Sequence, residues 1–310
     1  MPSQANLAID WRAGYGPIAH QSETIERMQT LVHRMVAQGR VADEASAHAL
    51  LAAADRVACT AMSVVAHMTY ARRIDRSGCP LGSDDFKQTP EGHTGGSLNM
   101  VPAFVGYLLA NALTGTTRGW LMGQGHCVAA IEAVNALTGD VSAAQRGRYD
   151  RSEAGLSLLI ADFYSYAIDK QGRPAVPLGS HAGPNTAGAI SEGGYLGFAG
   201  LQYVHTPLPG ESLVAFLSDG AFEEQRGSDW APRWWRAEDC GFAVPIMILN
   251  GRRIEQRTQI VQEGGAAWLA EDLRHNGFDP VIIDGRDPVA IAWAIVESED
   301  TLSAFAAQSN

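Results

Sequence analysis

Leu213-Val214-Ala215-Phe216-Leu217-Ser218-Asp219-Gly220 and Val244-Pro245-Ile246-Met247-Ile248-Leu249-Asn250-Gly251 are the two stretches from which the fold is read. Each opens as a short apolar run. Runs of this length, rich in Val, Ile and Leu and closed by a turn residue, predict parallel strands buried on both faces. An Asp and an Asn then stand at the carboxyl ends of two strands, where open α/β sheets bind ligands. Their separation, 250 − 219 = 31 residues, is enough for one helical crossover and its loops. A carboxylate and an amide oxygen suit a hard cation such as Mg²⁺. That ion takes a few protein oxygens and fills the rest of its shell with substrate phosphates. The pair predicts a Mg²⁺–diphosphate site.

Around this centre the texture of residues 91–310 alternates. Trp120–Met122 and Val281–Ile283 read as further strands. Helices are expected near 98–112, 127–137, 152–168, 194–205, 263–275 and 287–297. Such alternation predicts an α/β fold, a doubly wound and mainly parallel sheet covered on both sides. Residues 1–90 read as a helical N-terminal extension. In it, 22–38 carries Ile25, Met28, Leu31, Val32, Met35 and Val36 on one face, a pattern of helical period. Residues 43–70 are Ala-rich and read as one or two helices. The division expected is therefore 1–90 and 91–310, with packing as the role of the first part.

The chain has 310 residues, is 46% apolar and 18% charged, and carries a formal net charge of −11. This is an ordinary globular mix. The negative charge argues against nucleic acid or an anionic membrane as partner. It leaves a phosphorylated ligand open, because a bound metal supplies local positive charge. Cys59, Cys79, Cys127 and Cys240 form no CxxC pair and read as reduced thiols in a cytoplasmic protein. No basic-then-apolar signal pattern opens the sequence. No apolar run approaches the roughly 18 residues of a membrane span.

Three histidines lie in glycine-rich turns: Gly92-His93-Thr94-Gly95-Gly96, Gly123-Gln124-Gly125-His126-Cys127 and Gly179-Ser180-His181-Ala182-Gly183. Glycine lets backbone approach a ligand closely, so a ring in such a turn can reach a phosphate or a hydroxyl. A structural histidine is the commoner reading of any one of them; the trio beside a metal–diphosphate pair favours function. His20, His33, His48, His67, His205 and His275 read as structural. Ser191-Glu192-Gly193-Gly194-Tyr195-Leu196-Gly197 precedes an expected helix, and paired glycines there expose N–H groups that favour a diphosphate.

In order along the chain, GHTGGSLN, GQGHC, SHAGPNTAG, EGGYLG, SDG and NGRRI resemble segments of the diphosphate-binding module of phosphoketolases, relatives of transketolase. There the segments run GHWGTTPGLN, GPGHGG, SHxxPxTPGS, EGGELG, GDGEAETG and NGYKI. The resemblance covers residues 91 to about 260. Transketolases share the metal motif but carry a TGPLGQG-like segment in place of EGGYLG.

The resemblance implies roles. Asp219 and Asn250 match the Mg²⁺ ligands, with the backbone carbonyl of Arg252 as the third. Gly125, Glu192, Gly193, Gly194, Gly220 and Arg253 fall on the cofactor-binding positions, Gly194 against thiamine diphosphate itself. His93, His126 and His181 match three active-site histidines around the thiazolium carbon and the donor sugar. Glu224 falls where such enzymes keep a glutamate linking paired sites. The departures are Ser218 for the first glycine of the metal motif, Ala-Phe-Glu-Glu after its Asp, and Arg252-Arg253 for Tyr-Lys. Arg253 keeps the charge without a lysine's point-like geometry.

The implied activity is thiamine-diphosphate-dependent cleavage of a ketose phosphate, with xylulose 5-phosphate and phosphate as substrates and acetyl phosphate as product. Transketolase-like transfer and epimerisation of the same sugar phosphate are alternatives. A non-catalytic partner subunit is the rival from another class. The family continues into a pyrimidine-binding module, so the resemblance implies a homodimer, a companion chain carrying that module, or both.

Overall fold

The computed structural model of the chain describes residues 10–165, 167–172, 212–224, 230, 242–253 and 256–309. It opens with α1 (Ser22–Ala37) and α2 (Glu44–Tyr70). Asp43 caps α2, its carboxylate accepting the Ser46 N–H at 2.7 Å, as an N-cap carboxylate does. Then come α3 (Thr94–Thr114), β1 (Gly119–Met122), α4 (Val128–Thr138), the short α5 (Ala143–Arg146) and α6 (Glu153–Asp162). After these stand β2 (Ser212–Ser218), α7 (Asp219–Glu224) and β3 (Phe242–Ile248). A small hairpin, β4 (Arg252–Arg253) with β5 (Gln256–Arg257), leads to α8 (Gln259–Glu263), α9 (Ala266–His275) and α10 (Pro288–Ser309).

Strands β1, β2 and β3 lie side by side in that order, both pairs parallel. The register puts Met122 opposite Phe216 and Ser218 opposite Ile248, so all three strands point their carboxyl ends to one edge. Side chains of β2 alternate between two apolar clusters. Val214 and Phe216 join the helices α1 to α4, α6 and α10; Leu213 and Leu217 join Trp230, Ile260, Leu269 and Leu273. A strand buried on both faces is what the apolar run predicted. The chain is thus a mixed helical structure with a small parallel sheet, an α/β arrangement.

The Ala-rich stretch expected as one or two helices is one, Glu44–Tyr70, of 27 residues. Several other expectations need correction. The helix expected at 263–275 begins at Ala266, because Gly264 (φ 132°) and Gly265 (φ 68°) separate it from a short helix that ends at Glu263. The helix expected at 152–168 ends at Asp162, and Tyr164 follows with φ 62°. The run Val281–Ile283 is not a strand. Val281 and Ile282 are 51% and 56% exposed, and only Ile283 rests on the core. Three apolar residues are too few for periodicity to separate a strand from a loop that lays down one side chain. The helix expected at 194–205 lies outside the described residues. By length and composition α2 and α3 could each cross a membrane, although 44% and 72% of their most apolar windows are buried among the other helices. For α3 such burial is what a core helix shows.

The N-terminal helices share their core with the rest. In the first cluster, Met28, Leu31, Leu51, Val64 and Met68 meet Met100, Val105, Ile131, Ile291 and Ile295. His20 adds a polar tie inside it. Its ring nitrogens lie 3.0 Å from Asp55 on α2 and 3.0 Å from Asp287 at the start of α10. Asp287 also accepts the Val289 N–H at 2.8 Å, capping α10.

Gly106 fixes how closely α3 and α10 approach. A methyl group there would stand 2.7 Å from Ile291 Cβ and 2.8 Å from the Pro288 carbonyl. Gly106→Ala is expected to force the helices apart and cost about 1–3 kcal/mol, the usual range for overpacking. Urea denaturation of the two proteins measures it. An unchanged midpoint would mean that the pair slides freely.

Candidate functional site

The sheet edge formed by the three carboxyl ends collects most of the described candidates. Gly123 follows β1 and its N–H donates to Phe216 O at 2.9 Å. This ties the Gly123-Gln124-Gly125-His126 turn beside the end of β2, where Asp219 opens α7. His126 and Cys127 lie in the single 3₁₀ turn Gly125–Cys127 that leads into α4.

His93 is the N-cap of α3. Its Nδ1 accepts the Gly96 N–H at 3.1 Å, so the ring satisfies one of the donors left open at a helix start. The sequence predicted a free ring in a glycine-rich turn. Gly95 and Gly96 instead belong to the first helical turn. The rings of His93 and His126 meet edge to face, 4.2 Å between centroids. Burial holds His93 below the usual histidine range. Beneath the pair, Cys127 is 2% exposed, and burial pushes its thiol up. Behind His93, the Tyr164 ring packs on Gly92, leaving no room there for a Cβ, which would fall 2.5 Å from it. Gly92 has φ 125° and Tyr164 φ 62°, the latter an outlier for a bulky residue.

Asp219 is fully buried. Its Oδ1 accepts the Gly220 N–H at 3.0 Å; its Oδ2 accepts the Gly251 N–H at 2.7 Å and the Thr258 hydroxyl at 3.4 Å. The Gly251 bond straps the loop after β3 onto the end of β2 and brings Asn250 alongside. Asn250 Oδ1 accepts the Arg252 N–H at 2.9 Å, a local turn. Arg252 and Arg253 begin the small hairpin, and Gly220 sits against Arg253, whose Cβ is 3.3 Å from where a side chain would start.

Burial pushes the Asp219 carboxyl up to about 6, against the pull of the Gly251 and Gly220 N–H groups, and nearby Glu223 pushes it further. Glu223 was not anticipated from the sequence. Its Oε1 accepts the Ile260 N–H at 2.7 Å. Its buried Oε2 has no hydrogen bond, and Arg253 Nη1 is 3.9 Å away. Among the described residues Asp219 has no ion-pair partner. Two carboxylates are thus buried side by side with one distant cation, and carboxylate and amide oxygens keep lone pairs beyond those their N–H donors use. This donor set fits Mg²⁺. The signal that could have found Glu223 is its spacing, one helical turn after Asp219.

The structure therefore brings His93 to His126, and Asp219 to Asn250, Gly220, Arg252 and Arg253. Glu224 closes α7, and its side chain lies outside the described residues, as do His181, Glu192, Gly193 and Gly194.

Residues 46–305 match the family model described as the XFP N-terminal domain. A probable phosphoketolase 2 of Lactiplantibacillus plantarum is 26% identical over 229 residues, 71% of this chain and 27% of that protein. A probable phosphoketolase of Pseudomonas putida is 25% identical over 230 residues, 72% of this chain and 27% of its own length. One of Streptomyces coelicolor is 33% identical over 129 residues, covering 39% and 16%. The chain thus aligns with 27% of the length of the relatives that it matches most extensively among these.

Proposed function

The chain belongs to the phosphoketolase family, whose N-terminal XFP domain it carries, and from that premise we propose that it is the diphosphate-binding half of a thiamine-diphosphate-dependent enzyme. The reaction proposed is cleavage of a ketose phosphate, xylulose 5-phosphate, with phosphate as the second substrate. The observation that carries this reading is the strap from Gly251 N–H to Asp219 Oδ2 at 2.7 Å. It joins the carboxyl ends of two adjacent parallel strands into one oxygen-donor site.

In this reading Asp219, Asn250 and the carbonyl of Arg252 hold Mg²⁺. Gly220 leaves room at the start of α7, where N–H groups favour a diphosphate, and Arg253 adds charge. Gly125, Glu192, Gly193 and Gly194 complete the cofactor seat. The cofactor, once bound, supplies the electron sink for breaking a C–C bond beside a ketone. His93, His126 and His181 bind the sugar hydroxyls and move protons to and from them. Glu224 links paired sites. The sheet continues, in this proposal, into a doubly wound thiamine-diphosphate fold in a cytoplasmic protein. The aminopyrimidine of the cofactor meets a second module, on a homodimer partner or a companion chain.

The test has two stages. Calorimetric titration with thiamine diphosphate, with the pyrimidine module present, is expected to show binding only when Mg²⁺ is supplied. Xylulose 5-phosphate and phosphate are then expected to yield acetyl phosphate. Binding that ignores Mg²⁺ would overturn the metal assignment. An epimerised sugar phosphate in place of acetyl phosphate would assign the scaffold to the epimerase alternative.

A further inference from the structure

Cys127 has no part in that reading. It stands where the phosphoketolase segment GPGHGG has glycine, yet here it places a sulfur under two imidazoles. The ligand atoms of His93, His126 and Cys127 all lie within 4.8 Å of one another. Gly96 permits the convergence: a Cβ on it would fall 2.6 Å from His93 Nδ1 and 2.7 Å from Cys127 Sγ. We propose that these three side chains form a binding site for a soft divalent cation, with Zn²⁺ as its occupant, separate from the oxygen donors at Asp219 and Asn250. The inference stands on this geometry alone and holds whether or not the chain binds thiamine diphosphate.

Donor chemistry separates the two sites. Imidazole and thiolate select Zn²⁺, whereas carboxylate and carbonyl oxygens select Mg²⁺. Three protein ligands with a fourth position left open is the arrangement of catalytic zinc sites rather than of closed structural ones. Around tetrahedral zinc, bonds of roughly 2.0–2.3 Å place donor atoms roughly 3.3–3.7 Å apart. The cluster therefore needs to close by about 1.5 Å at most, a movement within reach of side-chain rotation. His93 must give up the Gly96 N–H to do so, whichever nitrogen it uses. An Nδ1 that accepts that bond leaves the proton of the neutral ring on Nε2. Cys127 ligates as thiolate, and its proton passes to solvent as the metal binds. With zinc in place, both imidazoles have their lone pairs on the metal and neither can take a proton. Occupancy therefore blocks any acid–base work at this end of the sheet.

Co²⁺ substitution tests the site without the cofactor. One equivalent of Co²⁺ added to the reduced protein is expected to give tetrahedral d–d bands and a thiolate-to-cobalt charge-transfer band. An excess of Mg²⁺ should leave these bands in place, and one equivalent of Zn²⁺ should remove them. Cys127→Ser is expected to abolish the charge-transfer band, and His126→Gln to weaken Co²⁺ binding at least tenfold. If Cys127→Ser fails to fold, X-ray absorption on the wild-type zinc complex decides. One sulfur at roughly 2.3 Å with two imidazole nitrogens at roughly 2.0–2.1 Å is expected. An all-oxygen shell, several sulfurs, or a charge-transfer band that survives in Cys127→Ser would overturn the proposal. The last two outcomes would point to Cys59, Cys79 or Cys240.

Discussion

Asp219→Ala is expected to eliminate the Mg²⁺-dependent binding of thiamine diphosphate. Loss of an outer-shell partner alone typically costs 10–100-fold in metal affinity, and Asp219 is proposed as a direct ligand, so the loss should exceed about 10²-fold. The substitution also removes the acceptor for Gly220, Gly251 and Thr258, which releases the strap that holds Asn250 beside β2. Titration of both proteins with thiamine diphosphate, with and without Mg²⁺ and with the pyrimidine module present, measures the effect. Circular dichroism of the variant shows whether the fold survives. Equal affinity in a folded variant would remove Asp219 from the metal site.

His20→Ala should produce the largest loss of stability, about 3–5 kcal/mol, the range for breaking a buried pair and leaving charge uncompensated. The side chains of His20, Asp55 and Asp287 are at most 1% exposed; Asp55 meets His20 through Oδ2, and its Oδ1 has no hydrogen-bond partner. Burial alone would lower the basicity of His20. The hydrogen bonds and charges of Asp287 and Asp55 outweigh it and raise the ring to about 10. Trp11 and His48 are the neighbouring rings on this side.

The sign follows from linkage. A histidine that holds its proton more tightly when folded stabilises fully below its unfolded value of about 6.5. That contribution fades as pH rises toward 10. The gap in melting temperature between wild type and His20→Ala should therefore be widest near pH 6 and should narrow steadily to pH 10. A gap that is constant with pH would mean that the ring is neutral in the folded protein and contributes packing only.

The legible part of this molecule lay where composition and position agreed. The two apolar runs ending in Asp219 and Asn250 are adjacent parallel strands, and both polar residues fall at their carboxyl ends. For β2 this followed because a strand buried on both faces keeps its polar residues to the ends. What was not legible depended on neighbours distant in sequence. His93 was read as an open ring, because a histidine N-cap lacks the usual Ser, Thr, Asp or Asn signature. Glu223 carries no local signal beyond its spacing from Asp219, since the resemblance falls on Glu224, one residue on. Its burial against Ile260 is a contact across 37 residues. Cys127 read as an idle thiol, since nothing local announces that the start of α3 returns to it. Val281–Ile283 had a strand's composition without a strand's pairing.

The shared core has a consequence for the order in which the chain can fold. Val289, Ile291, Ala292, Ile295 and Val296 of α10 are buried in the same cluster as Met28 and Leu31 of α1 and Leu51 and Val64 of α2. Arg118 binds Glu299 across 181 residues, its Nε donating at 2.7 Å. Contacts so remote in sequence are slow to form, because the loop must close before they stabilise anything. During synthesis α2 can pack on α3 and α4, but the faces of α1 and α3 that α10 covers stay open until roughly the three-hundredth residue has left the ribosome. Exposure of this kind is the condition that favours aggregation of nascent chains. A ribosome-bound product halted before residue 288 should be cut by protease in α1 and α3 faster than the full chain is.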